Sequence, residues 1–215
     1  MITFSPSVLS PVRLLPKALG LRRLVSTGFM PKSMGAGMLI VIDPGVDHRE
    51  ALVAGAIAGA TLLILDAKKD AIAQITQAIR RFRGTLRSLH IVTHGSPGML
   101  HFSSGDLTAC NLHTYAEQIE SWFDYEPLCK DSSIKVKSSQ SFISLYVCNL
   151  ATGQAGMELL ENLHYLTGVS IHASEGKVGG TGVNGSWQLE VALPFQRPTK
   201  FPFTNDLLET YEAVI

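Results

Sequence analysis

Charge is thin in this chain. Asp, Glu, Lys and Arg make up 17% of its 215 residues, and 18 basic side chains balance 18 acidic ones. A net charge of zero gives no bulk electrostatic footing for nucleic-acid binding, which needs a clustered excess of cations. Cysteine is scarce as well, with Cys110, Cys129 and Cys148 the whole complement. Three widely spaced thiols do not build a disulfide framework, so reduced thiols are expected. No apolar run comes near the roughly 20 residues of a membrane span. No basic start is followed by the apolar stretch of a secretory signal peptide. Internal repeats are absent. The 176–185 stretch is glycine-rich but matches neither the Gly-x-Gly-x-x-Gly nor the Walker spacing, so no nucleotide or other cofactor is expected. The seven histidines show no ligand spacing, and no metal site is expected.

Acid is missing altogether from the first 42 residues, which hold Arg13, Lys17, Arg22, Arg23 and Lys32. Pro6, Pro11, Pro16 and Pro31 interrupt any long helix there. Residues 1–37 are therefore expected to form a disordered basic leader. An organelle transit peptide, or a translation start placed too early, would give the same composition.

What remains is rich in apolar side chains, 46% over the whole chain, enough for one full-sized domain. From residue 38 onward short apolar runs alternate with amphipathic stretches. Runs at 38–42, 61–65, 89–93, 142–147 and 169–173 are short and rich in β-branched and aromatic types, the mark of buried strands. Between them, helices are expected over 47–58, from Asp70 through the Ile72, Ile75 and Ile79 stripe, over 111–123 and over 154–166. A short β excursion is expected at 99–103, a surface loop at 130–140, and a half-exposed strand at 187–191. This alternation predicts an α/β fold, a doubly wound and mostly parallel sheet with helices on both faces. The domain is expected over 38–195, with a tail over 196–215 that holds a short helix near 205–213.

Two of the strands end on reactive side chains. The run Leu89-His90-Ile91-Val92-Thr93 leads into His94-Gly95, and Phe142-Ile143-Ser144-Leu145-Tyr146-Val147 leads into Cys148. In a parallel α/β sheet, chemistry gathers beyond the carboxyl ends of the strands, so the two ends could face one crevice as a cysteine–histidine dyad. Cys148 would attack as thiolate, favoured by the helix that starts shortly after it. His94 would move the protons, and the Gly95 N–H could steady an oxyanion. The plainer reading is that Cys148 is a small buried hydrophobe and His94-Gly95 a satisfied turn. Asp43, after the first strand, could line the same crevice and select a basic substrate side chain, or simply cap a turn before Pro44-Gly45. Ser174 and Glu175, after the fifth strand, could form its other wall or an ordinary loop.

An apolar strand ending in His-Gly, followed by one ending in Cys, resembles the caspase-like cysteine peptidase superfamily, CHAT domains included. More specifically, residues 40–192 resemble a bacterial domain of unknown function found near the N-terminus of large surface proteins with cadherin-like and calcium-binding repeats. The matching pieces are Ile42-Asp43-Pro44-Gly45-Val46, Leu65-Asp66, His90-Ile91-Val92-Thr93-His94-Gly95, Tyr146-Val147-Cys148-Asn149, Ala173-Ser174 and Gly185-Ser186-Trp187-Gln188-Leu189-Glu190. The resemblance implies a caspase-like fold with Cys148 as nucleophile, His94 as general acid/base and Gly95 as oxyanion donor. It implies a peptide or protein substrate, self-processing included, and a place at the bacterial surface or outside the cell. Tyr146 stands where such peptidases often carry Asp, Glu or Gln shaping the specificity pocket, and Val147 where they carry a small residue. Two other outcomes fit the same residues: a non-catalytic module for export or protein interaction, and a thiol-dependent transferase.

Overall fold

The protein is described by a computed structural model covering residues 37–123, 141–194 and 201–215, with the backbone of two short strands at 125–127 and 135–137. The expected leader, apart from Gly37, lies outside the described residues, as do Cys129 and most of the expected 130–140 loop.

In chain order the elements are β1 (Met38–Ile42), α1 (Arg49–Gly55), β2 (Thr61–Ile64), α2 (Ala71–Arg80), β3 (Ser88–Val92), β4 (His94–Ser96), β5 (Met99–Phe102) and β6 (Gly105–Thr108). There follow a 3-10 turn (Leu112–Tyr115), α3 (Ala116–Glu120), β7 (Tyr125–Pro127), β8 (Lys135–Lys137), β9 (Phe142–Tyr146) and α4 (Gly153–Thr167). The chain ends with β10 (Ser170–Ala173), a 3-10 turn (Thr181–Val183), β11 (Val191–Leu193) and α5 (Asn205–Thr210). Six strands form one sheet in the order β2-β1-β3-β9-β10-β11. Every neighbouring pair is parallel except β10 with β11. A smaller antiparallel sheet, β4-β5-β6, stands at the carboxyl end of β3. The α/β fold with a mostly parallel sheet is the one expected from the alternation of runs.

Residue parity explains why the sheet is covered on both sides. Along β1, Leu39 and Val41 face one apolar cluster while Met38, Ile40 and Ile42 face another. Side chains of a strand alternate between faces, and a central parallel strand must be apolar on both. The first cluster takes Ile72, Ile75 and Ile79 of α2, Ile119 of α3, and Leu159, Leu160 and Leu163 of α4. The second takes Leu52 of α1 and Leu207 of α5, with Trp187, Phe203, Tyr211 and Ile215. Asp70 caps α2 as expected, its carboxylate accepting from the Ala73 N–H at 2.7 Å.

Several elements are shorter than their sequence patterns, for local reasons. The first helix begins at Arg49, not Asp47, because His48 sits in the left-handed region at φ 48°. It ends before Ile57, whose N–H donates to the Pro202 carbonyl instead of a helical one. The expected 111–123 helix is a 3-10 turn running into the five residues of α3, with Leu112, Ile119 and Trp122 buried and Tyr115 partly so. The last strand falls at Val191–Leu193 and not at 187–191, while Ser186 makes a lone bridge to Val178. Residues 201–215 lie against the sheet: Phe203 bridges Ala56, and Phe203, Leu207, Tyr211 and Ile215 are all buried.

Candidate active site

Strands β3 and β9 pair in register up to Val92 with Tyr146. The Thr93 N–H still donates to the Tyr146 carbonyl at 3.4 Å, which carries the pairing one step further. His94 and Cys148 are each two residues past that last pair, so the topology sets both just beyond the carboxyl ends of two adjacent parallel strands, where α/β folds build their sites. Just after Cys148 the backbone turns sharply at Asn149, which takes a left-handed φ of 57°. Asparagine tolerates that conformation better than most residues. The turn is then laced to the loop after β10. Asn149 N–H donates to Gly176 O at 2.7 Å, Ala151 N–H to Ser174 O at 3.0 Å, and Thr152 Oγ1 to Glu175 O at 2.9 Å.

His94 opens β4. Its Nε2–H donates to the Gly45 carbonyl at 3.2 Å, which assigns the proton of a neutral ring to Nε2 and leaves Nδ1 as the lone-pair nitrogen. Gly95 is glycine for lack of room, since a Cβ there would overlap Val147 Cγ1 and the Met99 carbonyl oxygen. Asp43 is buried and committed: its carboxylate accepts from the Gly45 N–H at 2.8 Å, the Ser103 N–H at 2.8 Å and the Ser103 hydroxyl at 2.5 Å. It ties the end of β1 to the tip of the small sheet and holds in place the Gly45 carbonyl that orients His94. Thr93 Oγ1 adds a second tie by donating to the His101 carbonyl at 2.6 Å.

Cys148 is only 8% exposed. Its sulfur accepts from the Val178 N–H at 3.2 Å, and its S–H lies 3.7 Å from the Val178 carbonyl. Burial pushes the thiol pKa up, while the backbone N–H groups of Val178 and Ile215 and the charge of Lys177 pull the other way. Cys148 belongs to the second apolar cluster, with Tyr146, Trp187, Tyr211 and Ile215. In this state His94 and Cys148 spend their side-chain hydrogen bonds on different partners, Gly45 on one side and Val178 on the other.

Residues 39–215 match the family described as Domain of unknown function (DUF4347). The chain belongs to that family. No match was found among curated proteins.

Within this DUF4347 domain the sequence-derived candidates fall into two groups. His94 and Gly95, in β4, and Cys148, Ser174 and Glu175, on loops, all lie beyond the carboxyl ends of β3, β9 and β10. Ser174 is buried, accepting from the Gly176 N–H at 3.0 Å and donating to Glu190 at 3.2 Å, while Glu175 is exposed. Tyr146 lies instead inside the second apolar cluster, its ring 5.6 Å from Phe201, 6.0 Å from Phe203 and 6.2 Å from Trp187. Burial raises its hydroxyl pKa above the ordinary tyrosine value. Sequence reasoning missed Ser103 and Val178, the partners that fix Asp43 and Cys148. It also missed a polar chain on the face of the small sheet, in which Ser96 Oγ lies 3.0 Å from His101 Nε2 and His101 Nδ1 lies 2.7 Å from Asp106. The cross-strand pairing of His101 with Asp106 builds that contact, and period-two alternation through a recognised hairpin would have been the signal for it. Among the described residues, no three His, Cys, Asp or Glu side chains gather as a metal site, and no helix is long and apolar enough to cross a membrane.

Proposed function

We propose that this domain is a cysteine peptidase related to the caspase-like superfamily, acting on peptide or protein substrates that include its own chain. The observation that carries the reading is the placement of His94 and Cys148 at the ends of two paired parallel strands, β3 and β9. The Cys148 thiol gives its proton to His94, and the thiolate so formed attacks the scissile carbonyl carbon, forming a C–S bond as the carbonyl electron pair moves onto oxygen. The Gly95 N–H is the candidate donor to that oxyanion. Collapse expels the amine, which takes a proton from His94, and a thioester remains. Water, losing a proton to His94, then hydrolyses the thioester and regenerates the thiol. Glu175, exposed on the laced loops, is the candidate to meet substrate, while Asp43, Tyr146 and Ser174 hold the walls.

The second reading is a non-catalytic module. It is favoured by the burial of Cys148 and the upward shift of its thiol pKa.

One experiment separates the two. A peptidyl acylating probe is incubated with the wild-type protein and with His94→Ala, with Cys148→Ser as the blank, and the adduct on Cys148 is followed by peptide mass spectrometry. An opening step ahead of acylation multiplies both rates alike, so their ratio reports the dyad. A peptidase predicts a drop of about 100-fold without His94, the usual scale of general acid–base help. Equal rates would leave the non-catalytic module.

A further inference from the structure

Residues 211–215 reach the thiol: Tyr211 and Ile215 share the apolar cluster of Cys148, and the Ile215 backbone N–H acts on its sulfur. After α5 the backbone returns across residues 178–180. The Ile215 N–H donates to Val178 O at 2.8 Å, the Gly180 N–H donates to Ala213 O at 2.9 Å, and Val214 forms an antiparallel bridge with Gly179. Val178 is the same residue whose backbone holds the thiol. Tyr211 anchors the segment from its other side, with its ring 5.3 Å from Trp187 and its hydroxyl donating to the Asp47 carbonyl at 2.6 Å. Glycine makes the approach possible. A Cβ at 179 would overlap the Ala213 carbonyl oxygen, and one at 180 the Tyr211 carbonyl oxygen.

We infer that residues 211–215 form a built-in cover that holds Cys148 silent and must swing away before the thiol can act. The inference rests on Cys148 being the nucleophile proposed above, and it gives that site its regulation. Two backbone hydrogen bonds, which together make the Gly179–Val214 bridge, and one aromatic anchor form a latch short enough to open locally, at the low-stability end of the fold. Opening frees the thiol and leaves β1, β3 and β9 untouched.

Gly180→Ala is the wedge that tests it. Gly180 has φ −65° and ψ 139°, which any residue adopts, so the added methyl acts only through its clash with the cover. Gly182→Ala, where a Cβ meets nothing within 4 Å, is the control. Iodoacetamide labelling of Cys148 and hydrogen exchange at the Ile215 amide are read together on the full chain. The cover predicts that Gly180→Ala raises both at least tenfold and that Gly182→Ala raises neither. Faster exchange at Ile215 with an unchanged thiol overturns the inference. If Gly180→Ala fails to fold, the wild type decides. The thiol's protection against alkylation must then equal that of the Ile215 amide within about threefold. Protection equal to that of core amides in β1 would mean that only global unfolding exposes Cys148, and the cover falls. Failure of the peptidase reading looks different: the wedge speeds labelling, but adding His94→Ala to Gly180→Ala changes nothing.

Discussion

His90 lies in the middle of β3 with 0% exposure, and neither ring nitrogen has a hydrogen-bond partner among the described residues. Its ring packs edge-on to Phe142 and stacks near Tyr146, and Ser144 and then His172 follow it across the sheet in register. Burial, with a smaller push from His172, lowers its pKa from 6.5 to about 3. The folded protein therefore keeps His90 neutral where the unfolded chain would protonate it. Stability should be level above pH 6.5 and fall below it, by about 1 kcal/mol per pH unit, until the folded pKa is reached. Urea midpoints measured from pH 7 to pH 4 should show this slope, and His90→Leu should flatten it; an equally steep variant would place the acid sensitivity elsewhere. His90 sits inside an apolar run, the sequence mark of a side chain packed in or at the edge of the sheet. His94 and Cys148 were legible because they end such runs. The partners that decide their present state were not, since Gly45 and Val178 contribute backbone groups and any residue type supplies those.

The small β4-β5-β6 sheet is the element on which the His94 backbone depends, and it is fastened by few bonds. Asp43, 60 positions from Ser103 in sequence, supplies the strongest of them. Asp43→Ala removes three acceptor contacts and leaves two N–H groups and a hydroxyl unsatisfied. A loss of about 3 kcal/mol is expected, because buried hydrogen bonds to a charged group are each worth more than neutral ones. Hydrogen exchange at the Ser103 amide should rise in step, and an unchanged amide would mean that the sheet is held by its apolar underside alone. The excursion at 99–103 could be read from alternation, but its attachment could not, because a turn-capping aspartate and a long-range clamp look alike in one sequence. The same limit explains α1, whose ends are set by a left-handed His48 and by a carbonyl from Pro202 that the Ile57 N–H finds in place of a helical one.

On the scale of the whole molecule, the sheet separates two cores, each with its own tryptophan: Trp122 in the first and Trp187 in the second. The strands β1, β3 and β9 each contribute to both, so the cores should unfold together. Trp122→Phe and Trp187→Phe variants, each leaving one reporter, should give the same urea midpoint once the small stability cost of each change is allowed for. Adding Phe203→Ala should shift both midpoints together by about 3–4 kcal/mol, the usual cost of truncating a buried phenylalanine; a shift seen by Trp187 alone would show two independent cores. The α/β class and most of the strand sequence were readable because a buried parallel strand has few ways to be written. Residues 201–215 were read only as a tail with a short helix, because Pro198 and Pro202 mask the apolar spacing of Phe203, Leu207, Tyr211 and Ile215. Their contact with Asp47, 164 positions away, also sets an order of events in time. A ribosome makes Cys148 well before it makes the residues that lie over it. Each new copy therefore passes through an interval in which Val178, Gly180 and Trp187 have been made but still lack the partners that residues 211–215 supply.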